Sequence, residues 1–160
     1  MGYTTDFDGA VTIDPPLNEK EVEFINRFAS TRRMNRKNGP YYANPGSDGV
    51  GQGGESDIID YNTPPAGQPG LWCQWQVSED GALIEWDGGE KFYEAEAWMR
   101  YIIEHFLQFG AHAQTQLPFL QCNHTVNGVI DAQGEDPSDM WRLVVEGNVV
   151  SKKVATVTYS

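Results

Sequence analysis

Residues 71–108 read LWCQWQVSEDGALIEWDGGEKFYEAEAWMRYIIEHFLQ, and this stretch decides the fold. Leu71 to Val77 and Ala82 to Trp86 are apolar runs on either side of Ser78-Glu79-Asp80-Gly81. A polar turn carrying Asp-Gly accepts the backbone angles of a tight reversal, so the two runs read as a β-hairpin. Asp87-Gly88-Gly89-Glu90 then interrupts the strand, and Phe92, Ala95, Trp98, Met99, Ile102, Ile103 and Phe106 recur at helical spacing. The stripe predicts an amphipathic helix over 91–108.

Working outward, residues 3–13 are rich in β-branched and aromatic types and stop at Pro15-Pro16, which predicts a first strand. Asn18 stands three residues before Glu21, a capping-box spacing, and Val22, Ile25, Phe28 and Ala29 continue as a helical stripe over 18–31. Beyond a join at 108–118, strands are expected over 121–132, 140–146 and 148–159, with turns at Gln133–Pro137 and Gly147-Asn148. The order is β-α-β-β-α-β-β-β. Strands arriving as hairpins with only two helices between them predict an α+β fold, an antiparallel sheet with both helices on one face. Residues 34–69 are broken by Asn38-Gly39-Pro40, Asn44-Pro45-Gly46, Gly49 to Gly54 and Pro64-Pro65. They read as a long ordered loop with a glycine tip, pinned by Tyr41-Tyr42 and by 58–61, inside a single domain of residues 1–160.

At 160 residues the chain can bury roughly 70% of the surface its unfolded form exposes. Twenty-three acids against eleven bases give a net charge of −12, whose field repels nucleic acid and anionic membrane. Direct nucleic-acid binding is therefore not expected. The start, Met1-Gly2-Tyr3-Thr4-Thr5-Asp6, lacks a signal-peptide pattern, and no apolar run approaches a membrane span, so a cytoplasmic protein without a membrane partner is expected. Cys73 and Cys122 fall in apolar runs and imply no disulfide framework.

Met1 to Phe7, Thr31-Arg32-Arg33-Met34, Gln68 to Trp75, Glu85 to Tyr93 and Gly128 to Pro137 resemble the corresponding strings of a family of small proteins of actinobacteria and their bacteriophages or prophages. The resemblance spans nearly the whole chain. No activity is established for that family, so it supplies no site residue. It implies an accessory protein of the host cytoplasm, with countering host defence or modulating a host protein as the expected kind of role.

Arg32, Arg33, Arg36 and Lys37 concentrate four of the eleven bases just past the first helix. They compensate the helix dipole or, alternatively, bind an anion by their guanidinium forks with Tyr41 or Tyr42 stacked alongside. Glu85, Asp87 and Glu90, and likewise Asp131, Glu135, Asp136 and Asp139, are close in sequence. They match no metal-binding spacing, and turn or capping roles are the simpler reading, with Asp87 before the second helix. No metal or cofactor is expected. His105, His112 and His124 are scattered, although His124 with Cys73 or Cys122 would form a dyad if the fold joined them. Trp72 and Trp75, an odd number of residues apart, point to opposite sides of an extended strand. At most one of the two faces the helices, and the other is covered by the long loop, the favoured expectation, or left exposed.

These residues describe first a non-enzymatic binding protein that recognises a protein or a small anionic ligand through the 32–69 loop and the Trp72–Trp86 hairpin. The alternative is a small enzyme or sequestering protein for a nucleotide or other anionic metabolite, with Arg32, Arg33 and Arg36 on the anion and Glu85 or Asp87 as base. An acidic mimic of nucleic acid is the lesser alternative. An edge at Val154 to Tyr159 would permit a homodimer.

Overall fold

Thr5–Asp14 forms β1, with Phe7, Val11 and Ile13 buried and Asp6, Asp8 and Thr12 exposed, the period-2 alternation of a strand with one dry face. It belongs to a computed structural model that describes residues 2–37, 39–43 and 57–155. α1 follows at Glu19–Ser30. Its capping box is complete: the Asn18 side chain accepts from the Glu21 N–H at 2.8 Å and the Glu21 carboxylate accepts from the Asn18 N–H at 3.0 Å. Phe24, Ile25, Phe28 and Ala29 turn its apolar stripe inward.

The hairpin consists of β4 (Trp75–Val77) and β5 (Leu83–Trp86), with Trp75 opposite Trp86 and Val77 opposite Ile84. Ahead of it lies a small ribbon inside the expected loop, β2 (Asn35–Arg36) against β3 (Ile58–Asp60). β4 is the outer strand of the main sheet, and the Asn26 side chain of α1 exchanges hydrogen bonds with both backbone groups of Val77. A helix side chain thus occupies part of the strand's free edge.

The second helix is shorter at its start than the apolar stripe predicts. α2 spans Ala95–Ile102 and continues as a π-helical turn over Ile103–Leu107. Lys91 and Glu94 hold φ of 59° and 62°, left-handed values that cannot continue into a helix. β6 (Thr125–Gly134), β7 (Met140–Glu146) and β8 (Val149–Val154) complete the chain. The main sheet has six strands in the order β4-β5-β1-β6-β7-β8, every neighbour antiparallel. The fold is α+β with both helices on one face, as the pattern of hairpins predicts.

Two aromatic groups fill the space between sheet and helices. The Phe7 ring meets Trp75, Trp86, Phe92 and Trp141 edge-on at centroid distances of 5.2 to 5.8 Å. Phe28 meets Trp98, Tyr101 and Phe106 at 5.0 to 6.0 Å. Such contacts add to the burial of large rings. Among the described residues no helix lies on the opposite sheet face. Among the described residues no helix is long and apolar enough to cross a membrane. The breaks at Asn44-Pro45-Gly46 and Gly49 to Gly54, and the part of the expected last strand and edge beyond Ala155, lie outside the described residues.

Candidate functional site

The basic segment leaves α1 at Thr31 and turns at Arg33, where the Met34 N–H donates to the Arg32 carbonyl at 2.9 Å. Its arginines part company there. Arg33 is 1% exposed. Its N–H donates to the Leu71 carbonyl at 2.7 Å, and its guanidinium donates to the carbonyls of Phe28 (3.1 Å) and Pro40 (3.3 Å) while lying 4.0 Å above the Phe28 ring. Phe28 is in the last turn of α1, so Arg33 supplies the dipole compensation from inside the fold. Burial pushes its pKa down to about 10, which leaves it charged at neutral pH.

Arg36 is also buried. It pairs with Asp57 at 2.6 Å and lies 3.8 Å above the Tyr42 ring, linking β2 to the residue before β3. Tyr41 turns to the helical layer instead, its hydroxyl 2.7 Å from His105 Nδ1. His105 stacks on Tyr101 at 3.7 Å, and burial, with the neighbouring His112, lowers its pKa to about 4. Tyr101 in turn accepts from Gln68, which also donates to the Pro40 carbonyl that Arg33 uses. The segment is thereby bound to α1 and α2 by buried polar groups.

Arg32 takes the other side. Half-exposed, it donates to the Tyr61 carbonyl (3.1 Å) and to Asn62 (3.3 Å). Asn35 N–H donates to the Thr63 carbonyl at 2.8 Å, and Asp60 accepts from Asn62 N–H and Thr63 hydroxyl, fixing the turn after β3. Those two hydrogen bonds hold the exposed Asp60 carboxyl below its ordinary pKa. The same segment is flanked by Leu71, next to Trp72. Three large apolar side chains on the neighbouring segments are left in water: Ile59 is 58% exposed, Tyr61 55% and Trp72 47%. Of Trp72 and Trp75 it is Trp75 that faces the helices, and the expectation that the other is covered is corrected: Trp72 follows a bend at Leu71 and precedes β4, outside the paired part of the hairpin. Ile59 and Tyr61 lie beyond sequence reasoning as site residues, because the ribbon that presents them is short and irregular.

Trp75 is fully buried and donates from its indole to the Ala95 carbonyl at 2.8 Å, which fixes the start of α2 to the sheet. Trp86 is half-buried, with its indole on Gln74 at 3.2 Å. Asp87 is a turn residue that accepts from Gly89 N–H at 2.7 Å and does not cap α2. Glu85 pairs across from Ala10 and Gln76 on the uncovered sheet face, whereas Arg33 lies in the helical layer. The sheet stands between them.

Neither cysteine is a poised nucleophile. Burial pushes the Cys73 thiol up to about 12 and raises that of Cys122 as well. Cys122 contacts the Phe106 carbonyl at 3.8 Å, while His124 is engaged on both ring nitrogens, Nδ1 with the Pro15 carbonyl at 2.6 Å and Nε2 with Glu21 at 3.0 Å. The fold does not join them as a dyad. Among the described residues no group of three or more His, Cys, Asp or Glu side chains is placed to hold a metal ion.

No family model, curated protein or solved structure matches the chain. Its site is therefore read from geometry alone. Besides the Arg32 surface, the uncovered sheet face carries a shallow depression of about 570 Å³. Asp8, Asp131, Arg142 and Lys153 line it, with Arg142 2.8 Å from Asp131.

Proposed function

We propose that this chain is a non-enzymatic binding protein of the accessory, host-modulating kind, and that it recognises a protein partner through Arg32, Ile59, Tyr61 and Trp72. The observation that carries the reading is the exposure of Ile59, Tyr61 and Trp72 on segments hydrogen-bonded to the one that carries Arg32, itself anchored from beneath. Large apolar side chains rimmed by polar groups and held on a fixed backbone can bind without much ordering cost. Arg33, Arg36, Tyr41, Tyr42, Trp75 and Trp86 then act as its support. Reading the same segment as a metabolite site requires Arg33 or Arg36 to exchange buried partners for the ligand. A mimic of nucleic acid is less favoured, because bases interrupt the acids on the uncovered sheet face.

Affinity capture from a lysate of the source organism tests the proposal, with wild-type chain and a Tyr61→Ala/Trp72→Ala variant as paired baits. A partner held by the wild type and lost by the variant, at unchanged melting temperature, supports it. Equal capture by both removes this surface from consideration. A thermal-shift screen against nucleotides and sugar phosphates distinguishes the metabolite reading, since a ligand of the folded state raises the melting point.

A further inference from the structure

The uncovered face of the six-stranded sheet has a charge order that a single chain leaves in conflict. Asp8 of β1 is directly across from Asp131 of β6, Asp131 from Arg142 of β7, and Arg142 from Lys153 of β8. One row across four strands therefore runs acid, acid, base, base. Like charges directly opposite on neighbouring strands are unfavourable, and the row contains one such pair at each end. Only the central Asp131–Arg142 contact is complementary, at 2.8 Å, and both its side chains are 60% exposed.

We infer that this face is the docking surface for a second copy of the same chain, stacked sheet on sheet. A two-fold axis parallel to the strands and midway between β6 and β7 reverses the strand order of the copy while keeping each row level. β1 then faces the partner's β8, and β6 faces the partner's β7. Asp8 meets the second copy's Lys153 and Asp131 meets its Arg142, so each acid on one sheet faces a base on the other. In the adjoining row Val129 of β6 meets Val144 of β7, an apolar contact beside the charges. The operation is isologous, so every contact occurs twice, as closed pairs require. Aligned sheets stack roughly 10 Å apart, a distance that side chains from two such faces fill.

Size and charge set the strength of the pair. Four strands at about 4.8 Å spacing and about seven residues at about 3.3 Å give a footprint of roughly 20 Å by 23 Å. That is at the low end for a specific interface, so a dissociation constant in the micromolar range is expected. The chain's net charge of −12 opposes association over long range. Raising salt from about 10 mM to about 150 mM shortens the Debye length from about 30 Å to about 8 Å, which screens that repulsion more than contacts inside the interface. The dimer population should therefore rise over this range.

Sedimentation velocity at about 100 µM chain and about 150 mM salt, with Asp8→Lys and Lys153→Asp, decides the matter. Within one chain each exchange relieves a like-charge pair, the first by setting a base against Asp131 and the second by setting an acid against Arg142. Both variants are therefore expected to melt no lower than wild type. Between copies each exchange sets like charges face to face, and each variant alone should sediment as a 17.9 kDa monomer while wild type sediments at twice that mass. An equal mixture of the two variants should recover the dimer, because one copy then carries both bases and the other both acids. A monomeric wild type overturns the inference, as does a dimer indifferent to either exchange or single-variant monomers that do not recover on mixing.

Discussion

Replacing Glu21 by Gln should cost most stability in mildly acidic solution and progressively less as the pH rises. Both ring nitrogens of His124 face acceptors, the Pro15 carbonyl at 2.6 Å and the Glu21 carboxylate at 3.0 Å, and both side chains are wholly buried. Only a doubly protonated imidazolium can donate to both; a neutral ring turns a lone pair towards one of them. Burial is the largest influence on His124 and pulls its pKa down, yet the bonds to Glu21 and Pro15 and the Glu21 charge outweigh it and the pKa is raised. For Glu21 burial again acts first, upward, and is outweighed by His124 and by the N–H groups of Asn18 and Gln121, so its pKa is lowered. The His124 contribution is full below the unfolded value of 6.5 and is lost as pH rises through its higher folded pKa. The Glu21 contribution is full above the unfolded 4.5 and is lost as pH falls through its lower folded pKa. Together they stabilise most between those two values. Removing one member of a buried pair costs roughly 3–5 kcal/mol, and the Gln isostere, which keeps one acceptor for a backbone N–H, should sit near about 3 kcal/mol at pH 5.5. Once the pH passes the raised His124 pKa, wild type loses the imidazolium, and the difference should shrink to about 1–2 kcal/mol. Urea unfolding of both proteins at several pH values reads this from the midpoints at constant slope. A difference that grows as the pH rises above 6.5 would refute an ionic Glu21–His124 pair.

Arg33→Ala should destabilise by about 3–5 kcal/mol, because it empties a buried site and removes one of two donors from each of the Phe28 and Pro40 carbonyls, whereas Arg32→Ala should stay within about 0.5 kcal/mol. Thermal melts of the two variants side by side check this, and equal effects would overturn their separate placement. Gly81→Ala should cost more than about 1 kcal/mol, since Gly81 holds φ of +74° and an added Cβ would collide with the Leu17 backbone; chemical unfolding that leaves the midpoint unchanged would contradict the turn geometry. His105, with its pKa lowered to about 4 by burial and by His112, binds its proton less readily than in the unfolded chain. The folded state therefore loses this contribution as pH drops from 6.5 through about 4, and ring-proton NMR should show His105 neutral at pH 6.

The elements legible in the sequence are those written in local chemistry. Asp80-Gly81 marks the hairpin, Asn18 with Glu21 marks the start of α1, and the alternation of Phe7, Val11 and Ile13 marks a strand with one dry face. What local chemistry conceals is a residue's second partner. The capping spacing identifies Glu21 as a cap, but its other carboxylate oxygen meets His124, 103 residues away, and nothing near either residue announces that meeting. The start of α2 is misplaced for a related reason: an apolar stripe continues through Phe92, while the left-handed backbone at Lys91 and Glu94 breaks the helix. The basic segment conceals its outcome in a similar way. Arg33 and Arg36 are an odd number of residues apart yet both are buried, so strand alternation does not sort the arginines; the turn that joins the Arg32 carbonyl to the Met34 N–H does. Composition sees four bases together; geometry sends one arginine under Phe28 and leaves its neighbour beside Tyr61. In this segment the buried Arg33 and Arg36 hold in place the backbone that presents the half-exposed Arg32.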